Sequence, residues 1–151
     1  MRAHPLVVLP GVGAFGPAID LLNSKGLATP LRERIGKNMS TLCVCLGFQL
    51  LAETSEEVST TIGMGGKYTG VQASMLMFLI DPYLPLQSVG YHGLGIFPLQ
   101  VVRFPGGVRV PQQGWNHIKA DPRCRILKTG FAYFSNSFCL RSTPAGFVSS
   151  G

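Results

Sequence analysis

The chain has 151 residues, 46% of them apolar and only 13% charged, with 19 glycines, 11 prolines and a formal net charge of +6. That length suits one domain with a real core, and the apolar share excludes a disordered polyelectrolyte. The basic residues are scattered (Arg32 and Arg34, Arg103 and Arg109, Arg123, Arg125 and Lys128). Without a basic stripe interleaved with aromatics, nucleic acid is not the expected partner.

The most apolar run, "ASMLMFLI" from Ala73 to Ile80, is far short of the ~20 residues of a membrane helix. The opening "MRAHPLVVLPGVG" turns too soon into a Gly-rich loop to be a secretory signal. A reducing compartment, cytoplasm or organelle, is therefore expected, with the four cysteines as thiols.

In chain order, "LVVL" is a short β-branched run that breaks at Pro10-Gly11, which predicts a buried strand entering a glycine-rich loop. "PAIDLLNSKGL" predicts a helix, with Pro17 in its first turn, Ile19 and Leu22 three apart, and Gly26 as its stop. "TPLRERIGK" predicts another, with Thr29 as N-cap, Pro30 at the first helical position and Gly36 as terminator. "STLCVC" predicts a second buried strand, and the spacing of Leu46, Leu50 and Leu51 predicts a helix through "LGFQLLAETSEE". This alternation is that of a parallel α/β sheet. Val58 to His92 holds neither a helical nor a strand period and predicts an irregular insertion. Beyond it, "LQVVRF" and "VRVP" around Pro105-Gly106-Gly107 predict a hairpin, and "FAYFSNSFCL" a further strand.

A cysteine between a strand and a helix is exposed by the sharp turn, and a helix N-terminus there favours a thiolate. Cys45 holds that place in "CVCLG", with Gly47 letting the turn pass close, while Cys43 lies one step back in the strand. Spacing alone leaves Cys45 open between nucleophile and core filler, since free cysteine is commonly buried. No metal site is expected, because Cys124, Cys139 and His117 stand in no ligand spacing with the pair.

"PGVGAFG", "CLGFQLLAETSEE", "GLGIFPLQVVRFP" and "VPQQGWNHI" occur in that order. Over about Leu6 to Glu57 and Gly93 to Phe138 the chain resembles the glutaminase part of imidazole glycerol phosphate synthase, a class I glutamine amidotransferase of histidine biosynthesis. The resemblance implies a three-layer, open, mainly parallel sheet flanked by helices, with a small antiparallel extension around Gln100–Pro111. It implies that Cys45 attacks glutamine, with the N–H groups of Val12 and Leu46 as the oxyanion hole. Gly11, Gly13, Gln49, Ser137 and Phe138 would then hold the substrate, and Trp115 and Asn116 would lie at a cyclase domain or subunit. No cofactor is implied.

The same comparison marks departures. The family's His-Pro-Glu segment has no counterpart among the 151 residues: His-Pro occurs only at His4-Pro5, and no Asp or Glu follows Asp121. Cys43 stands where the elbow usually has glycine, and Asn136 where "HSY"-like segments have histidine. The family's opening strand and loop have no match. These departures imply a single partial domain over 1–151, short at both ends, with 58–92 inserted. They also raise the alternative of an inactive fragment or partner-docking remnant.

Overall fold

A computed structural model describes residues 4–57, 90–123, 128–140 and 142–143. Strand β1 (Val7–Leu9) pairs in parallel with β2 (Thr41–Cys43), Val7 opposite Thr41 and Leu9 opposite Cys43. Between them run α1 (Phe15–Ser24) and α2 (Ala28–Gly36). On α1, Phe15, Ile19 and Leu22 recur at intervals of four and three, so one stripe faces the core, and all three are buried. Leu31 on α2 completes that contact with no exposed surface.

The predicted Thr29 cap is displaced: α2 starts at Ala28, with Leu27 before it. Pro30 still falls in the first turn, where its missing N–H costs no helical bond. Arg34 on the same helix is 3% exposed. Its guanidinium donates to His4 O at 2.9 Å, Pro5 O at 3.1 Å, Ser40 O at 2.8 Å and Thr41 Oγ1 at 3.2 Å. One forked side chain thus stitches together the segments that lead into β1 and β2.

The helix predicted through Glu57 is a single turn, α3 (Leu46–Gln49), followed at once by β3 (Ala52–Ser55). Tertiary pairing decides this. β3 is interior to a four-stranded sheet of order β4-β3-β5-β8, with β4 (Tyr91–His92), β5 (Phe97–Arg103) and β8 (Phe138–Leu140). Ala52 and Ser55 have no exposed surface, and their small side chains let the neighbours close over them. β3 runs parallel to β5 but antiparallel to β4, and β5 is antiparallel to β8.

The remaining strands, β6 (Gln112–Ile118) and β7 (Gly130–Asn136), form an antiparallel ribbon in register from Gln112↔Asn136 to Ile118↔Gly130. The chain is therefore α/β with mixed sheets, where a mainly parallel one was expected. The predicted hairpin over Gln100–Pro111 does not form, because β5 finds its partners in the distant β3 and β8. The antiparallel extension is the β6–β7 ribbon instead. Of the expected insertion, 58–89 lies outside the described residues, whereas Tyr91 and His92 belong to the sheet. No helix among the described residues is long and apolar enough to cross a membrane.

Candidate active site

β2 ends at Cys43, α3 begins at Leu46, and Cys45 makes the turn between them at φ 55°, ψ −123°. An L-residue with a side chain is disfavoured there, by about 1–3 kcal/mol, so the surrounding structure must hold it. It does so by close packing. Val44 N–H donates to Leu9 O at 3.0 Å. A Cβ on Gly47 would overlap that same Leu9 carbonyl, so only glycine lets α3 lie against β1. A Cβ on Gly11 would sit 2.7 Å from Gly47 N and 2.8 Å from Leu46 Cβ, which brings the "PGVG" loop against the start of α3. Leu46 and Leu50 are buried as anchors, and Cys45 is left exposed.

The thiol faces a cleft of about 500 Å³. Val12, Gly13, Cys45, Leu46, Gln49 and Glu57 line it on one side, and Pro111, Gln113, Ser135, Asn136, Ser137 and Phe138 on the other. Val12 is 94% exposed, a side chain held out by its loop with nothing to pack on. Among the described residues neither Val12 N–H nor Leu46 N–H donates to a backbone carbonyl, so both remain available beside the thiol. Gln49 Nε2 reaches across to Phe138 O at 3.2 Å.

Glu57 is the other ionisable side chain in the lining. Its Oε2 accepts the Phe15 N–H at 3.1 Å and so caps α1, whose own N-cap residue, Ala14, has no side-chain oxygen. Burial pushes the Glu57 carboxyl above its ordinary value, and the hydrogen bond from Phe15 partly opposes that.

No family model matches the chain. Curated proteins do. Imidazole glycerol phosphate synthase subunit HisH of Moorella thermoacetica is 36% identical over 143 residues, 91% of this chain and 53% of its own length. The HisH subunit of Desulfitobacterium hafniense strain Y51 is 31% identical over 140 residues, 90% of this chain and 52% of its own. This chain is a relative of HisH. The chloroplastic imidazole glycerol phosphate synthase hisHF of Arabidopsis thaliana is 33% identical over 144 residues, 92% of this chain and 19% of its own length. The chain spans about half the length of the HisH subunits it matches.

In this HisH relative the structure gathers Val12, Gly13, Cys45, Leu46, Gln49, Ser137 and Phe138 at one cleft, with Gly11 directly behind the turn. It places Trp115 and Asn116 elsewhere, on β6. Trp115 is 70% exposed and meets Tyr133 edge-on at 5.7 Å. None of the three histidines lines the cleft: His4 precedes β1, His92 is in β4, and His117 packs edge-on against Phe131 at 5.3 Å. Cys43 is half-buried against the core, and burial pushes its thiol up, away from the reactive thiolate. Among the described residues no group of His, Cys, Asp or Glu could hold a metal ion.

Sequence reading missed Glu57, Pro111, Gln113 and Ser135 as lining residues. The capping role of Glu57 has no local signal, since its partner Phe15 lies 42 positions away. The polar run "PQQG" joins the cleft only because β6 pairs with β7.

Proposed function

We propose that the protein is the glutaminase part of an imidazole glycerol phosphate synthase, a class I glutamine amidotransferase that hydrolyses glutamine to glutamate and ammonia for a cyclase domain or subunit. The observation that carries this reading is Cys45, held at positive φ on a strand-to-helix turn and open to a cleft beside two main-chain N–H groups. The similarity to the HisH subunits of imidazole glycerol phosphate synthase supports it.

In this reading the Cys45 thiolate attacks the carboxamide carbon of glutamine. The negative charge that develops on oxygen falls between Val12 N–H and Leu46 N–H, each such donor worth about 2.7–4 kcal/mol of barrier. The C–N bond breaks, ammonia leaves, and water then hydrolyses the glutamyl thioester. Glu57, ionised above its raised pKa, offers its charge to the substrate's α-ammonium. Phe138 and Ser137 face the amino-acid end from the opposite wall. Moving the thiol proton to the departing amine needs a base, and no histidine of residues 1–151 lines the cleft. The ribbon strand that carries Trp115 and Asn116, with Trp115 on its exposed face, is the surface for the cyclase. The parallel pairs β1–β2 and β3–β5 are compatible with part of a three-layer, open amidotransferase sheet. The chemistry requires no cofactor, and free thiols at Cys43, Cys45 and Cys139 suit a reducing compartment, cytoplasmic or organellar.

The test is glutamate release from glutamine by the full-length protein with its cyclase, against a Cys45→Ala variant. A loss of about 10⁴-fold or more is expected in the variant. Equal rates would remove Cys45 as the nucleophile. The alternative of an inactive docking remnant gains no support from the relatives, and it predicts no turnover by either protein.

A further inference from the structure

The corner Asn136–Ser137–Phe138, where the chain leaves the ribbon for the four-stranded sheet, is held by an arrangement that substrate attack does not itself require. Asn136 is still paired with Gln112 in the ribbon, while Phe138 is already opposite Arg103 on β5. Phe104 N–H donates to Ser137 O at 3.3 Å, and Val101 O accepts from Glu56 N–H on the other side of β5. That parity makes Arg103↔Phe138 a non-hydrogen-bonded pair. The N–H and C=O of Phe138 therefore point away from β5, to the free edge of the sheet, where Phe138 lines the cleft.

At that edge Phe138 O accepts two amide N–H groups, Asn136 Nδ2 at 3.1 Å and Gln49 Nε2 at 3.2 Å. Both of its lone pairs are used. The other end of the same carboxamide, Asn136 Oδ1, is buried and has no partner among the described residues. Turning the carboxamide over would set Oδ1 against Phe138 O, so the bond to that carbonyl fixes the orientation even though it strands an acceptor. Leucine has the same branched shape and would strand nothing. What asparagine adds is the second donor to Phe138 O.

Gln49 has a second Nε2 N–H and its Oε1 left for a substrate, but any turn of its carboxamide toward that substrate loosens its hold on Phe138 O. We propose that Asn136 is a positioning residue: it keeps Phe138 O held when Gln49 turns to the amino-acid substrate, so that Phe138 N–H stays aimed into the cleft at the substrate's α-carboxylate. This inference rests on the glutaminase reading above.

The experiment compares wild type, Asn136→Leu and Asn136→Asp in the full-length protein. Labelling of Cys45 is followed with a glutamine-shaped diazoketone and with iodoacetamide, which has no amino-acid end. Labelling by the diazoketone below saturation should fall about tenfold in both variants. Labelling by iodoacetamide should not change, and the thermal midpoint of Asn136→Leu should stay at or above that of wild type, since it removes the stranded acceptor. Undiminished diazoketone labelling of Asn136→Leu would overturn the proposal. So would an equal loss with both reagents, which marks a merely structural role. Wild-type Cys45 reacting no faster with the diazoketone than with iodoacetamide would instead overturn the glutaminase reading, and the inference with it.

Discussion

The wall of the cleft that carries Cys45 rests on buried apolar side chains, Phe15, Leu31, Leu46 and Leu50 among them. The wall that carries Gln113, Ser135 and Asn136 rests on a ladder: no residue of β6 or β7 is buried, and Trp115, Phe131 and Tyr133 stand in solvent. The first wall can hold a strained turn, because displacing it would open the core. The second can hold direction and register but little strain, since each rung is a hydrogen bond worth about 1 kcal/mol net. A nucleophile belongs on the first kind of support and a surface for a partner on the second.

Substitutions can break or sharpen that contrast. Phe15→Ala empties a site with no exposed surface and should cost about 3–5 kcal/mol in urea unfolding. Gly47→Ala forces Leu9 and α3 apart and should cost about 1–3 kcal/mol. It should also slow alkylation of Cys45, as the turn is displaced. Trp115→Ala removes one exposed edge-on pair and should cost about 0.5–1.5 kcal/mol. A loss there as large as that of Phe15→Ala would mean the ribbon is built like the core, and the contrast would fail.

The smallest effect is expected where β6 leads away from the site. Arg123 holds the Asp121 carboxyl down at about 2, through a side-chain hydrogen bond first and its N–H second. A carboxyl depressed on folding adds stability above its ordinary value of 3.8 and loses it as pH falls toward 2. Asp121→Asn should therefore lower the thermal midpoint slightly at pH 5 and at neutral pH, where the carboxyl is charged, leave it unchanged near pH 2, and so narrow the difference between them. A shift comparable with that of Trp115→Ala would contradict it.

The sequence made some of this legible and hid the rest, for physical reasons. β1, β2, α1 and α2 carry their own signals, in apolar runs that end at turn residues and in stripes of helical spacing. The strand-to-helix turn at Cys45 and Gly47 was legible too, since it follows from local residue types, whereas Gln49 entered only through the resemblance. The division of "LGFQLLAETSEE" into one helical turn and a strand was not, because "AETS" has no strand preference and is made a strand by β4 and β5 on either side. β6 was missed for a similar reason: its half-exposed alternation of "QQGWNHI" offers no apolar period to read. The Pro-Gly-Gly turn signal was real, but it joins strands that pair elsewhere. Asn136 was noticed only as a departure from a motif. Its two-donor arrangement on Phe138 O depends on a residue 89 positions away.

The dihedrals of Cys45 bear on what kind of residue folding alone would place there. At φ 55°, ψ −123°, glycine would relieve the strain that cysteine keeps. A Cys45→Gly chain should therefore fold more stably than the natural one while losing its thiol, so stability and reactivity pull this position in opposite directions. Selection for a firmer fold in a library of variants would discard the sulfur first.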